Sequence, residues 1–161
     1  MPITLTALTS SFDNVDANSY TSASISPAAN QLIVAVFSSR STGTPVAPTV
    51  TGNGLTWVSM VTLPFATVAS PTRRITAFRS MSNGTPAAGA VTFDGVTVAQ
   101  FGAWSIFALA SVDTGGTNGS GAVVQVGSNR DNSVTTLTVT LSSFGAAENG
   151  LFGGIGTATD N

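Results

Sequence analysis

The sequence predicts an all-β fold, an antiparallel β-sandwich of jelly-roll type with about nine or ten strands. Apolar or alternating segments follow one another at short intervals, with turn residues between them. Two of these segments are apolar at successive positions, as in strands that are buried on both faces. No segment between them has helical periodicity. We therefore expect one domain, residues 1–161.

The two doubly apolar segments form the predicted centre of the fold. In Phe101–Val112 only Ser105 and Ser111 are polar, and Trp104 and Ile106 point to one side. Gln31–Ser39, QLIVAVFSS, has the same character. Aromatic and β-branched residues favour a strand over a helix in both.

The other strands are weaker, and polar loops or turns separate them. Ile3–Ala7 alternates as a half-buried strand does, and Ser10–Ser19 after it is predicted to be a polar loop. Asn53-Gly54 is the strongest hairpin signal and predicts that Thr49–Thr51 pairs with Leu55–Leu63. The further predicted strands are Tyr20–Ser26, Arg73–Ser80, Val91–Asp94, Ala122–Val126, Thr135–Leu141 and Leu151–Ile155.

The apolar positions of these strands give the predicted core. Its members are Leu32, Val34, Val36, Trp57, Phe78, Phe93, Trp104, Ile106, Leu109, Leu137, Val139 and Leu141.

Charge is scarce, and this excludes several kinds of partner. Charged residues make up 7% of the chain, the net charge is −2, and the five basic residues are all arginine. Binding of nucleic acid or of an anionic membrane needs clustered Lys and Arg, so we expect neither partner. A neutral, hydroxyl-rich surface with weak self-repulsion favours packing against copies of itself.

Catalytic motifs are few, because the chain has no His, Cys or Lys. Asp113-Thr114-Gly115 resembles the motif of aspartic proteases, but Gly116 replaces their usual Ser or Ala, and a turn cap explains the aspartate. Glycoside hydrolysis would need two carboxylates from Asp94, Asp113, Asp131 and Glu148, each of which a solvated turn explains. We predict no catalytic residue and no cofactor; a hydrolase is the least favoured function.

Two binding features have equally simple explanations. Asp13, Asn14, Asp16 and Asn18 begin like a calcium loop but lack its glycine and closing glutamate, so we predict no metal site. Trp57 and Tyr20 are candidates for stacking on a glycan, although a core position is the simpler interpretation of Trp57. A carbohydrate-binding module is thus the alternative function.

A family resemblance narrows the choice of function. The order NQLIVAVFSSR, PTVTGNGLTWVSM, RRITAFRSM, GAVTFDG, AWSIFALASVDTGGTNGSGAVVQ, TTLTVTL and GLFGGIG, over Asn30–Gly156, resembles a β-sandwich domain of phage virion proteins and of phage-derived or secreted bacterial proteins. Pro48–Trp57 and Val112–Gly121 carry most of the likeness. The resemblance implies that the aromatic and glycine positions are structural. It also implies further strands past Gly156, so that the chain ends early or a partner's strand completes its sheet.

We therefore expect a virion structural protein, a capsid decoration or a head or tail fibre component, that binds copies of itself and other virion proteins. Its place would be the virion surface; the alternative module would be extracellular or on a bacterial surface. Uncharged terminal strands are open edges, which favours a closed homo-oligomer, a trimer above all. The candidate edge residues are Ile3, Leu5, Leu151, Phe152 and Ile155.

Overall fold

The all-β sandwich is confirmed in a computed structural model, which describes residues 2–66, 70–131, 134–145 and 149–157. Sheet A has five strands in the order β1-β8-β3-β6-β5, and sheet B has three in the order β2-β7-β4, all antiparallel. One isolated bridge joins Ile25 to Gly89. The strands are β1 Thr4–Asp13, β2 Ala17–Thr21, β3 Gln31–Arg40, β4 Thr49–Gly52, β5 Val58–Phe65, β6 Arg73–Ser82, β7 Val91–Ala99 and β8 Phe101–Ala110.

The two doubly apolar segments lie side by side within sheet A, as their composition predicts. β3 pairs with β6 on one side and with β8 on the other, and β8 also pairs with β1. On β3, Ile33 and Phe37 face sheet B, while Leu32 and Val34 face the opposite side, and all four are buried. Both faces of sheet A are therefore covered.

The main core fills the space between the sheets. Phe37 of sheet A stacks on Phe93 of sheet B, with ring centroids 4.7 Å apart and planes only 6° from parallel. Trp104 and Tyr20 flank this pair. Of the predicted core residues, Phe78, Phe93, Trp104 and Ile106 are buried here.

A smaller core lies on the outer face of sheet A, the face turned away from sheet B. Leu32, Val34 and Met81 are buried there. Leu109 and four residues of the segment after β8 (Val112, Ala122, Val123 and Phe152) pack against them. This C-terminal segment therefore forms a third layer on the outer face.

The three strands predicted in that segment are wrong, because none joins a sheet. Ala122–Val126, Thr135–Leu141 and Leu151–Ile155 have no ladder pairing. They lie on the face of sheet A instead of beside an edge, so no strand is in register to pair with them. Two predicted core residues there, Leu137 and Val139, are consequently 39% and 46% exposed.

The turn at Asn53-Gly54 is formed, but the predicted hairpin is wrong. Both residues have positive φ, 53° and 63°, as a type I′ turn requires, and Leu55 N–H donates to the Gly52 carbonyl. β4 before the turn belongs to sheet B, whereas β5 after it belongs to sheet A. The buried Asn53 side chain explains the divergence: its amide donates to the carbonyls of Ile25 (3.1 Å) and Ala87 (2.8 Å), which fixes the turn across the sandwich.

β1 is longer than the sequence predicts. Residues Ser10–Asp13, expected in a polar loop, pair with Ser105–Gly102 of β8. Pairing with β8 thus extends β1 beyond its alternating part.

No helix in the described part of the chain is long and apolar enough to cross a membrane.

Candidate functional site

Neither aromatic candidate for glycan stacking presents an open ring. Tyr20 is 4% exposed, and its hydroxyl donates to the Ala99 carbonyl at 2.8 Å. Trp57 is half-buried against the main core, and its indole N–H lies 3.3 Å from the Gly52 carbonyl. The more exposed aromatic is Phe12, 62% accessible and stacked on Phe101.

Two of the acidic residues that resembled catalytic or metal-binding groups, Asp113 and Asp13, cap turns. Asp94 does not: it lies in β7 opposite Ser19 of β2 and Thr49 of β4, so the turn expected there is wrong. Asp113 is exposed, and its Oδ1 accepts a hydrogen bond from Gly115 N–H at 2.7 Å, which is the turn cap expected from the sequence. Asp13 Oδ1 accepts from Val15 N–H at 2.9 Å in the same manner. In the described ranges, no three acidic side chains gather as metal ligands would. Glu148, a candidate carboxylate, lies outside the described residues.

A cleft of about 290 Å³ opens at the Asn53 end of the sandwich. The loop after β6 and the turn after β4 form its walls, and Asn118 approaches from the segment after β8. Its lining is Gly54, Leu55, Thr56, Met81, Ser82, Asn83, Gly84, Thr85, Pro86 and Asn118. None of these side chains titrates, so the cleft has no general acid or base. No pattern in the sequence predicts that Asn83 and Asn118 line one cleft.

Sheet A has two edges of different character. β5 has Pro64 as its next-to-last residue, contains a bulge between Ser59 and Val61, and has its Pro64 carbonyl bound by Arg130 at 2.8 Å. Proline, bulges and covering side chains are the means by which proteins protect an edge. β5 is therefore blunted.

β1 forms the opposite edge and is far less protected. Its nine residues before Asp13 include no charge and no proline, although like β5 it has one register shift, between Ala7 and Thr9. Leu5 is 52% exposed and Ile3, just before the strand, 37%. Both predicted N-terminal edge residues thus lie at an open edge that can pair with another strand.

The C-terminal candidates lie elsewhere, which corrects their predicted place on an edge strand. Leu151, Phe152 and Ile155 belong to a segment that crosses the outer face of sheet A. The Phe152 ring meets Phe107 edge-on, with centroids 5.2 Å apart. Leu151 and Ile155 are 80% and 77% exposed on the opposite side of the segment.

The rest of the C-terminal layer is held by side-chain amides instead of a ladder. Gln125 bonds both the carbonyl and the N–H of Ser142, at 3.0 and 2.8 Å, and Asn129 donates to the Thr138 carbonyl at 2.8 Å. Segments 122–130 and 135–142 thus run antiparallel, like two arms of a hairpin without backbone pairing. The exposed apolar side chains of these arms and of residue 134 are Val124, Val126, Val134, Leu137 and Val139.

No protein-family model, curated protein or solved structure matches this chain. Its function is therefore inferred from the sequence and from the geometry described above.

Proposed function

We propose that this protein is a structural component of a phage virion, a capsid decoration or a head or tail fibre component, that acts by self-assembly and by binding the shell. The family resemblance over Asn30–Gly156 points to the virion. The open β1 edge supports self-assembly and is the observation that carries the proposal. Ordinary monomers blunt such an edge with Lys, Pro or inward charges, as β5 does here with Pro64.

The surface supports the same conclusion. With 7% charged residues and a net charge of −2, copies of the chain repel one another weakly. The cleft contains no titratable group. The carboxylates of Asp13 and Asp113 already accept hydrogen bonds from the backbone N–H groups of Val15 and Gly115. Binding accounts for these features better than catalysis does.

Sedimentation of the full chain tests the self-assembly. We expect a closed homo-oligomer, a trimer, that Leu5→Lys dissociates because a charge on the open edge opposes strand pairing. Val15→Lys is the matched control, since Val15 is apolar and 65% exposed but lies after the end of β1. A wild-type chain that stays monomeric at millimolar concentration would refute self-assembly.

The gene neighbourhood tests the virion assignment independently. We expect the gene to lie beside capsid and portal genes. If the chain assembles but its gene lies apart from virion genes, the proposed self-assembly stands and the proposed virion role is refuted.

A further inference from the structure

The dipeptide Asn-Gly occurs four times in the chain, and the fold gives the four pairs different surroundings. The asparagines are Asn53, Asn83, Asn118 and Asn149. Asparagine is among the thermally labile residues of proteins. In an Asn-Gly pair the backbone nitrogen of the glycine can attack the side-chain amide carbon, because glycine has no Cβ to block the approach. The reaction needs an amide and a glycine N–H that are free to meet, so the fold determines which pair reacts.

The fold protects Asn53 through its side chain. This residue is 7% exposed, and its surroundings are the loops that close one end of the sandwich. The amide nitrogen donates to the carbonyls of Ala87, Ile25 and Gly89, at 2.8, 3.1 and 3.3 Å. These bonds hold the amide in place, and the Gly54 nitrogen reaches it only after they break.

The fold protects Asn118 through its backbone. Asn118 is half-buried, and its carbonyl accepts a hydrogen bond from Arg79 Nε at 3.2 Å. Gly119 is buried, and a Cβ added there would lie 2.6 Å from Leu32 Cδ1. The backbone of Gly119 is thus packed against the side chain of Leu32 and moves toward the Asn118 amide only if this contact opens.

Asn83 has neither kind of restraint. Ser82, the last residue of β6, is buried, and its hydroxyl donates to the Ala28 carbonyl at 2.6 Å. The fixed part of the chain ends there, because Asn83 and Gly84 are both exposed. In the described part of the chain, no hydrogen bond involves the Asn83 side chain or the Gly84 N–H. A Cβ added at Gly84 would meet nothing within 4 Å, so the space that ring closure needs is open.

We propose that Asn83 is a site of spontaneous deamidation in the folded protein. The Gly84 nitrogen bonds to Asn83 Cγ, loses its proton and expels the side-chain nitrogen as ammonia, which leaves a five-membered succinimide ring. Water then adds to either carbonyl of the ring and opens it, so the product is an aspartate or an isoaspartate. In sum, one amide and one water molecule become one carboxylate and one ammonium ion.

The product places a charge where the surface has none. Asn83 lines the cleft at the Asn53 end of the sandwich, and no side chain of that lining titrates, so the new carboxylate is its first titratable group. At Asn53 the same change would set a carboxylate against three backbone carbonyls in place of the amide that donates to them. A buried charge without a partner is costly. The fold therefore exposes the asparagine that tolerates the charge and protects the one that does not.

Peptide mapping of the full chain, incubated in mildly alkaline buffer, tests the assignment. Chymotrypsin cleaves at aromatic residues, which separate all four pairs, so mass spectrometry follows the change from amide to acid at each asparagine. The same chain unfolded in urea gives the reference rate of each pair. We expect Asn83 to react in the folded chain within about 3-fold of its unfolded rate, because an exposed loop needs no opening. Asn53 and Asn118 should react at least about 30-fold more slowly than when unfolded.

Gly84→Ala is the matched control variant. Its Cβ has free space, so circular dichroism and urea unfolding should match the wild type. The added methyl group hinders the attack, so we expect the conversion of Asn83 to slow at least about 10-fold. Asn149, read in the same sample, should convert at the wild-type rate.

Two variants that imitate the product test the difference between the sites. Asn83→Asp should leave the midpoint of urea unfolding unchanged, whereas Asn53→Asp should lower it, because it replaces the donor to three carbonyls with a charge.

Three results would overturn the proposal: a folded-state rate at Asn83 slowed as much as that at Asn53, conversion of Asn53 at its unfolded rate, or unchanged conversion of Asn83 in Gly84→Ala. Each is measured on the chemistry of single residues and not on self-association. The proposed function therefore stands or falls separately.

Discussion

Trp104 is the residue whose replacement tests the packing of the sandwich most directly. It lies on β8, is 6% exposed, and its ring centroid is 6.2 Å from that of Phe93 and 6.5 Å from that of Tyr20. Truncation of a buried tryptophan to alanine costs about 3–5 kcal/mol. Its Nε1 has no hydrogen-bond partner in the described structure, and a buried unpaired donor costs about 1–3 kcal/mol. Removing that N–H recovers part of the loss, so we expect Trp104→Ala to lower the unfolding free energy by about 3 kcal/mol.

Trp104→Phe separates the two contributions. It keeps an aromatic ring beside Phe93 but removes the unpaired N–H, so we expect a loss of only about 1 kcal/mol. Urea unfolding followed by far-UV circular dichroism at one fixed protein concentration measures both variants. A loss below about 1 kcal/mol for Trp104→Ala, or equal losses for the two variants, would refute the reasoning.

Three further predictions concern the environment of Tyr20 and the turn at Asp113. Gly102→Ala should destabilise the fold by about 1–3 kcal/mol in urea unfolding, because its Cβ would lie 2.7 Å from the Tyr20 ring. Burial, and then the charge of Asp13, raise the pKa of Tyr20 above its ordinary value, so the folded state holds the neutral phenol. The contribution of Tyr20 to the unfolding free energy should therefore be constant below about pH 10 and decrease above it, because the unfolded chain ionises first, and Tyr20→Phe should abolish this decrease. Asp113→Asn should change stability by less than about 0.5 kcal/mol and leave assembly intact, because an amide oxygen accepts from Gly115 N–H as a carboxylate does.

The centre of the fold could be predicted because its signal is local. A run such as Gln31–Ser39, apolar at successive positions, is compatible only with burial on both faces, and β3 has both. The same reasoning placed Trp104 and Ile106 correctly. The run does not encode what covers its second face, so it does not predict that the chain's own C-terminal segment packs over Leu32 and Val34.

The turn at Asn53-Gly54 illustrates a different limit. The dipeptide determines the backbone conformation, and both φ angles are positive as expected. Whether the flanking segments then pair depends on distant partners. Here β7 pairs with β4, β6 pairs with β5, and Asn53 bonds to the Ile25 carbonyl 28 residues away, so the turn joins two sheets.

The candidate site was partly predictable for the same reason. That β1 has no charge before Asp13 can be read from the sequence, whereas its place at the edge of sheet A depends on its pairing with β8. The burial of Tyr20 cannot be read from the sequence either, because the space for its ring exists only where Gly102 of β8 lacks a side chain. A glycine 82 positions away along the chain therefore decides whether this aromatic ring can reach a ligand.

The C-terminal segment shows why alternation alone does not define a strand. Alternation records that every second side chain faces the protein, and a segment lying across a sheet meets this condition as well as a strand within it does. Residues 150–156 turn Phe152, Gly154 and Gly156 to the outer face of sheet A and leave Leu151 and Ile155 exposed, so their side chains alternate as those of a strand do. A strand also needs a neighbour in register for its backbone hydrogen bonds, and Leu151–Ile155 has no ladder pairing. Alternation therefore predicts which side chains face the protein, whereas ladder pairing depends on where the rest of the chain places the neighbouring strands.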